Sequence, residues 1–467
     1  MHAVVICFAL LTIFAMSECT IVNIICEVNE DNIFEGAESV PAEYVQFRLY
    51  TRNNSENFIL LTHEENIRQS TYNPYSQTIF IIHGYQSSPG SPDLISLKQF
   101  ILMHDDVNVV MVDWSSGASE PYMPFAIRNT VATAREVAYF IQLLMKVSGT
   151  DLSRIHLIGN SLGGQLVSFV GKRFDKIGRI TALDPAGPCF SLYGKDHRIH
   201  YTDAEFVDVI ITNADGFGLK QPSGHVNFVV NGGVTQPGCG AVVLKNFRSH
   251  NFEALFLDNC SHRRALEYYI DSLMNKCCPF VGYSCSNYED FLDGKCTDCG
   301  EDGRKCAPLG YKAIEYKSKI QKETKVFYLK TASKSLYCLY HYAVFLKLSY
   351  SEDSINEIGQ LYITLEGNNY ETQKLLTPRS QSFVAGKEYS YLLTLPIDVG
   401  HLKSVILLWI RTSGGPYSSH KLYIDSIKIS LMNGKKNNTS TVFKQCQTDA
   451  LKSGVQLRYF VETHRCQ

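Results

Sequence analysis

Arg154-Ile155-His156-Leu157-Ile158-Gly159-Asn160-Ser161-Leu162-Gly163-Gly164 is the stretch on which the fold turns. Its first part, Arg154–Ile158, is short and rich in isoleucine and leucine, as a buried strand is. Its second part reads G-x-S-x-G and runs into a helical pattern over Gln165–Arg173. A strand that turns sharply into a helix at a serine lifts that hydroxyl to the sheet edge. The glycines at 159 and 163 let the turn close, and the helix N-terminus beneath can face a developing anion. Ser161 is therefore the candidate nucleophile. The plainer alternative is a glycine-rich strand-to-helix turn without chemistry.

The same grammar continues on both sides. Thr78–Ile82, Val107–Val112, Arg179–Leu183 and Phe206–Thr212 are short runs of β-branched and apolar residues, and Asn129–Lys146 is another helical pattern. Strands alternating with helices predict an α/β domain, with a parallel sheet covered on its faces. Past residue 325 or so the pattern changes. Val326–Thr331, Tyr342–Tyr350, Gln360–Glu366, Tyr389–Pro396, Ser404–Arg411 and Lys421–Leu431 alternate apolar and polar residues. Val344, Leu346 and Leu348 oppose Lys347 and Ser349, which predicts a β-sandwich with wet outer faces up to residue 435 or so, followed by a tail.

At 467 residues the chain holds two or more domains, and its 45% apolar and 19% charged composition is globular. With 44 basic against 46 acidic residues, nothing in the charge favours nucleic acid. Ala3–Phe14 is an apolar run too short to span a bilayer, and Ala15-Met16-Ser17 follows it with small residues where a signal peptidase cuts. Residues 1–17 are read as a signal peptide and the protein as secreted and soluble, since no later segment has the length and apolarity of a transmembrane helix. Removing the leader takes Cys7 with it and leaves an even number of the 15 cysteines. In a secreted chain these read as disulfides. Zinc at Cys296-x-x-Cys299 is the weaker reading, because no second ligand pair stands at the right spacing. Sequons occur at Asn53, Asn259, Asn437 and Asn438, with Asn53 and Asn437 taken as glycosylation sites.

A serine nucleophile needs a base, and the base an orienting acid. Asp184 stands just past the strand Arg179–Leu183, so a parallel sheet puts it on the same edge as Ser161. Asp113, after Val107–Val112, is the rival and reads better as a loop-holding residue. Spacing alone does not choose among 14 histidines. His262 is favoured because Cys260 can fix its loop and because it gives the order Ser, Asp, His. For an oxyanion hole the donors are the amides of Leu162, next to the nucleophile, and Tyr85, in His83-Gly84-Tyr85 after the strand Thr78–Ile82.

Taken together, the chain resembles the pancreatic lipase family, which includes lipoprotein and hepatic lipases and secreted phospholipases A1. The resemblance rests on His83-Gly84-Tyr85, Val112-Asp113-Trp114, the turn at Ser161, Leu183-Asp184-Pro185-Ala186-Gly187-Pro188 and Phe206-Val207-Asp208-Val209. It continues through Gly224-His225-Val226, Asn231-Gly232-Gly233, Gln236-Pro237-Gly238-Cys239, Cys260-Ser261-His262, the Cys285/296/299/306 block and Phe327-Tyr328-Leu329-Lys330-Thr331. It implies an α/β-hydrolase lipase domain over 18–324 and a PLAT-like β-sandwich with a C-terminal tail over 325–467. It implies the triad Ser161, Asp184 and His262. It also implies the disulfides Cys239–Cys260, Cys285–Cys296, Cys299–Cys306 and Cys446–Cys466, and a lid over 240–259, rich in leucine, valine and phenylalanine, that covers the site in water and turns to lipid at an interface. No family pairing is evident for Cys189, Cys277, Cys278 and Cys338.

The sequence departs from the family at several points. Asn160 and Gly164 stand where histidine and alanine are common, and the sandwich loop Ser413–His420 lacks tryptophan. Of the family's calcium ligands only Arg198 and Asp203 match, while Lys195 and His200 replace carboxylates, so the calcium site is eroded: no cofactor is required, and Arg198 and Asp203 stand as weak candidates for a calcium site. The segment Asn213–Pro222 is short, as in phospholipases A1, whereas the lid is long, as in triacylglycerol lipases. The expected activity is release of fatty acids from glycerolipids at a lipid–water interface, triacylglycerol ahead of phospholipid. The alternative is a catalytically silent lipid-binding or storage protein on the same fold. Lys312, Lys317, Lys319, Lys322 and Lys325 form a dilute basic cluster, at most a weak site for a heparin-like polyanion.

Overall fold

The computed structural model describes residues 33–34, 36–37, 44–240, 259–275, 277–350, 356–413, 421–433, 440–444 and 449–461. Two compact units divide the chain: Met1–Lys276 with Ala307–Leu329 and Ser333–Ser335, and Cys277–Cys306 with Lys330–Ala332 and Leu336–Gln467.

In the first unit the strands are β1 (Gln46–Tyr50), β2 (Ile59–Leu61), β3 (Thr78–Ile82), β4 (Asn108–Asp113), β5 (Ile155–Asn160), β6 (Arg179–Leu183), β7 (Val207–Ile211), β8 (Val226–Val230) and β9 (Lys325–Leu329). They lie in the order β9-β8-β7-β6-β5-β3-β4-β1-β2. From β9 to β4 every pairing is parallel, and β1 and β2 close the edge antiparallel. The helices that matter for the site are α1 (Pro92–His104), α2 (Ile127–Ser148), α3 (Leu162–Gly171) and α4 (Cys260–Met274). Strands β3, β6 and β7 are buried along their whole length, as a sheet covered on both faces requires. Phe80, Ile82, Val110, Val112, Leu157, Ile180 and Ala182 pack in one core with the apolar stripe of α2 and with α3. Helix α2 stops at Gly149, whose φ of 73° supplies the left-handed cap. Asp208 on β7 takes both Nε and Nη2 of Arg179 on β6, at 2.8 and 3.1 Å, a fully buried ion pair inside the sheet.

The elements read from sequence are present with ends moved by a few residues. One is placed differently. Val326–Thr331 is not the first strand of the second domain: β9 pairs parallel with β8, with Phe327 and Leu329 buried. Its alternating pattern suits either kind of sheet, and periodicity says nothing of which sheet a strand joins.

The second unit carries a 9-stranded antiparallel β-sandwich, from Tyr340–Leu348 to Gln456–Val461. Val344, Leu346 and Leu348 face a core with Leu361, Ile363, Leu407, Trp409 and Ile429, while Lys347 is exposed. Glu371–Leu375, Gln381–Phe383, Thr441–Lys444 and Gln456–Val461 are strands that sequence reading missed; the first two are mostly polar and the last two are short runs in the tail. Disulfides join Cys285–Cys296 and Cys299–Cys306, and also Cys278–Cys338, a pairing the sequence did not suggest. Cys189 in the first unit is disulfide-bonded too. The expected leader 1–17, residues 241–258 of the expected lid, the loop after Thr412, Asn437, and Cys446 and Cys466 lie outside the described residues. Among the described residues no helix is long and apolar enough to cross a membrane.

Candidate active site

Strand order reverses around β3, with β4 on one side and β5 on the other, and such a switch point opens a crevice at the carboxyl ends of the strands. Ile82 is in register with Gly159, and Asn160 with Leu183, so the loops after β3, β5 and β6 leave the sheet side by side.

Ser161 stands between β5 and α3 with φ 57° and ψ −121°, a conformation that costs a non-glycine residue about 1–3 kcal/mol. Its surroundings hold it there. The Ser161 amide donates to Leu183 O at 3.1 Å, and its carbonyl accepts from Gly164 at 2.9 Å and Ala186 at 3.0 Å. The glycines of the motif are steric necessities. A Cβ at Gly159 would sit 2.0 Å from Gly163 O, and one at Gly163 2.4 Å from Ile82 O. Gly164 leaves room for Pro185, and Asn160 Nδ2 donates to Leu183 O at 3.0 Å, so both departures from the family pattern fasten the turn to β6.

Asp184 also has a left-handed φ, 44°, and is fully buried. Its Oδ1 accepts the Thr212 and Asn213 amides at 2.8 and 3.1 Å, and its Oδ2 accepts from His262 Nδ1 at 2.6 Å. With Nδ1 donating, the neutral imidazole carries its lone pair on Nε2, the atom a base uses. His262 lies in the first turn of α4, which Cys260 opens, and the Cys239–Cys260 disulfide anchors that end. Asp113 is engaged elsewhere: it pairs with Arg48 and accepts from the Ser115 amide at 3.1 Å.

The loop after β3 runs against the serine. A Cβ at Gly84 would lie 2.8 Å from Ser161 Cβ, so glycine is what allows the approach. His83 is buried and stacks on Trp114. Its Nδ1 donates to Gly84 O at 3.0 Å, and its Nε2 accepts the Trp114 amide at 3.2 Å. Burial pushes this imidazole down to about 4, so it is neutral at pH 7 and serves to hold the loop. Leu162 opens α3, where helical amides have no intrahelical acceptor, and Tyr85 follows Gly84 with its ring edge-on to Tyr122.

Two residues that matter here escaped the sequence reading. A Cβ at Gly218 would fall 2.5 Å from Asp184 Oδ1, so the segment Asn213–Pro222 reaches the carboxylate only through a glycine. Gln236 is a buried hub. Its Nε2 donates to Thr212 O and Val230 O at 2.9 Å each, its Oε1 accepts from Tyr268 at 3.0 Å, and its amide donates to Ser261 Oγ at 3.0 Å. It thereby connects the loop that holds Asp184 to the helix that carries His262. Gln236 lies in a motif quoted above, but no single-sequence signal marks its side chain as buried.

Other expected sites are placed as follows. Asn53 is exposed on the short turn Arg52–Asn54. Lys312 and Lys322 are exposed, while Lys317 pairs with Glu205 at 2.5 Å. The family's calcium does not fit the residues present at Arg198 and Asp203. Calcium asks for about 6–8 oxygens, several of them carboxylate. Among the described residues Asp203 is the carboxylate hydrogen-bonded there, with Asp196 acting only through space; Lys195 is exposed, and the Arg198 guanidinium turns to Tyr193 O and Ser223 Oγ, both at 2.9 Å.

A family model described as Lipase matches residues 26–337, and one described as PLAT/LH2 domain matches residues 344–461. Lipase member H of Danio rerio is 35% identical, over 83% of this chain and 84% of its own length. Pancreatic triacylglycerol lipase of Mus musculus is 32% identical, over 88% of each chain. Pancreatic lipase-related protein 2 of Homo sapiens is 32% identical, over 88% of this chain and 87% of its own. The chain belongs to the lipase family, a family of carboxylic ester hydrolases, and carries a PLAT domain behind its lipase domain.

Proposed function

We propose that this protein is a secreted serine hydrolase that frees fatty acids from glycerolipid esters at a lipid–water interface, acting on triacylglycerol in preference to phospholipid. The observation that carries this reading is the 2.6 Å bond between His262 Nδ1 and the buried Asp184 carboxylate, beside a serine in a strained turn. His262 Nε2 takes the proton as Ser161 Oγ attacks the ester carbonyl. Asp184, fixed by two amides, keeps the tautomer and stabilises the imidazolium. The Leu162 and Tyr85 amides receive the oxyanion, the protonated His262 gives its proton to the leaving glycerol oxygen, and water then releases the fatty acid from the acyl-serine.

Triacylglycerol is favoured by the apolar composition of residues 240–259 and by the relative named as a triacylglycerol lipase. Secretion is supported by the N-terminal apolar run and the disulfides. A phospholipase A1 activity is the second reading. It is supported by the shortness of the segment Asn213–Pro222, which is held to the strand end by Leu219 N bonded to Pro185 O at 2.7 Å and Gly187 N to Phe217 O at 2.8 Å. Fatty-acid release from emulsified triacylglycerol and from phosphatidylcholine, each beside Ser161→Ala, tests both. Faster release from triacylglycerol supports the first and faster release from phosphatidylcholine the second. Release from neither, with no labelling of Ser161 by a phosphonate probe, means a silent lipid-binding protein.

A further inference from the structure

The residues at the family's calcium position do not lack a cation; they have one of their own. Lys172 caps the C-terminal end of α3. Its Nζ donates to Asp203 Oδ1 at 2.6 Å, Ser168 Oγ at 2.9 Å and the Arg198 carbonyl at 3.0 Å. An ammonium has three hydrogens, and all three are used on converging oxygens. The far side of the Asp203 carboxylate is also closed: Oδ2 accepts from Ser168 Oγ and from the His200 amide, each at 2.8 Å. Asp203 is only 3% exposed, so this is a built-in pairing rather than a passing surface contact. The backbone prepares it as well. A Cβ at Gly171 would fall 2.3 Å from Asp203 O, so a glycine beside Lys172 lets the loop come close enough.

We propose that Lys172 is a tethered replacement for the calcium ion, fastening the loop Lys195–Asp203 to α3 and making the protein independent of calcium. Asp203 and the Arg198 carbonyl, the two matches to the family's ligand positions, both bind the Lys172 ammonium. Calcium could enter only by displacing a covalently attached cation, and it would then meet one carboxylate where the family offers more. With Lys195 and His200 in place of two carboxylates, the Lys172 ammonium is bonded to one carboxylate, Asp203, and feels Asp196 through space. The helix held in this way is the one whose first turn underlies Ser161, so the clamp steadies the elbow from its far end.

This inference stands apart from the esterase reading, because calcium binding and thermal unfolding read it without any substrate. The full chain is melted in EDTA and in calcium at about 10 mM, roughly ten times the dissociation constant of the weakest extracellular calcium modules. Calcium retention is measured by equilibrium dialysis. The expected result is no stoichiometric calcium, one Tm in both buffers, and for Lys172→Met a Tm lower by about 3 °C or more in both. Wild-type protein that retains one calcium ion, or melts higher with calcium, overturns the proposal even if Lys172→Met fails to fold. A folded Lys172→Met with the wild-type Tm overturns it too.

Discussion

Asp184 and Asp203 are bonded in nearly the same way and serve opposite ends. Each is a buried carboxylate with one oxygen held by two donors, two amides for Asp184 and an amide and a hydroxyl for Asp203. The other oxygen of each meets a single nitrogen at 2.6 Å, His262 Nδ1 in one case and Lys172 Nζ in the other. The partner makes the difference. An imidazole can take up and release a proton at its far nitrogen, so its carboxylate steadies a charge that comes and goes. An ammonium on a flexible stem, with every hydrogen bonded, is a fixed charge and acts as a fastener. Bonding geometry alone does not separate a catalytic carboxylate from a structural one; what the partner can do with its proton does.

That contrast can be broken at either end. The largest expected effect is on the group the first pair serves. Ser161→Ala should cut ester turnover by about 10⁶-fold, read as kcat on an emulsified substrate, with the fold intact by circular dichroism. Asp184→Asn should cost about 10⁴-fold in kcat, since an amide offers the wrong partner to the imidazole and frees the other tautomer. A loss below tenfold would remove Asp184 from the mechanism.

Acid should act next. His83 has its pKa held at about 4 against an ordinary 6.5, so the unfolded chain binds that proton before the folded one does. Stability present above pH 6.5 is then lost as pH falls towards 4, by up to about 3 kcal/mol. Urea unfolding across that range should show the fall, and His83→Gln should flatten it. His225 and His341, also held at about 4 by burial, keep part of the slope. The smallest effect falls on the second pair. Asp203→Asn should cost about 2 kcal/mol in urea unfolding, with kcat of the folded fraction within a few-fold of wild type. A kcat loss as large as that of Asp184→Asn would erase the distinction between the two carboxylates.

Much of this was legible in the sequence where local physics dictates the answer. The strand–glycine–serine–glycine–helix turn requires its residue types, and the buried parallel strands announce themselves by composition. The histidine was not legible from spacing, because His262 and Asp184 stand 78 positions apart in sequence; the neighbouring Cys260 and the order Ser, Asp, His favoured it, and the resemblance then implied it. Strand β9 was assigned to the wrong sheet because alternation reports faces and not neighbours. Gln236, Gly218 and Lys172 were invisible for one reason. Each works through a contact made by tertiary folding, and a glutamine, a glycine or a lysine in isolation carries no sign of what will stand beside it. The Cys278–Cys338 disulfide, whose ends are 60 positions apart in sequence, is the covalent version of the same limit.

The strained backbone at Ser161 has a consequence for how such a protein changes over generations. Its positive φ is a standing cost that only turnover justifies, while a glycine there would relax it and leave the packing around it intact. Ser161→Gly should therefore give an inert protein that melts slightly higher than the active one. Selection for catalysis and selection for durability pull in opposite directions at this one position. On the proposed function, a duplicated copy released from ester hydrolysis would drift first at Ser161 while keeping the fold.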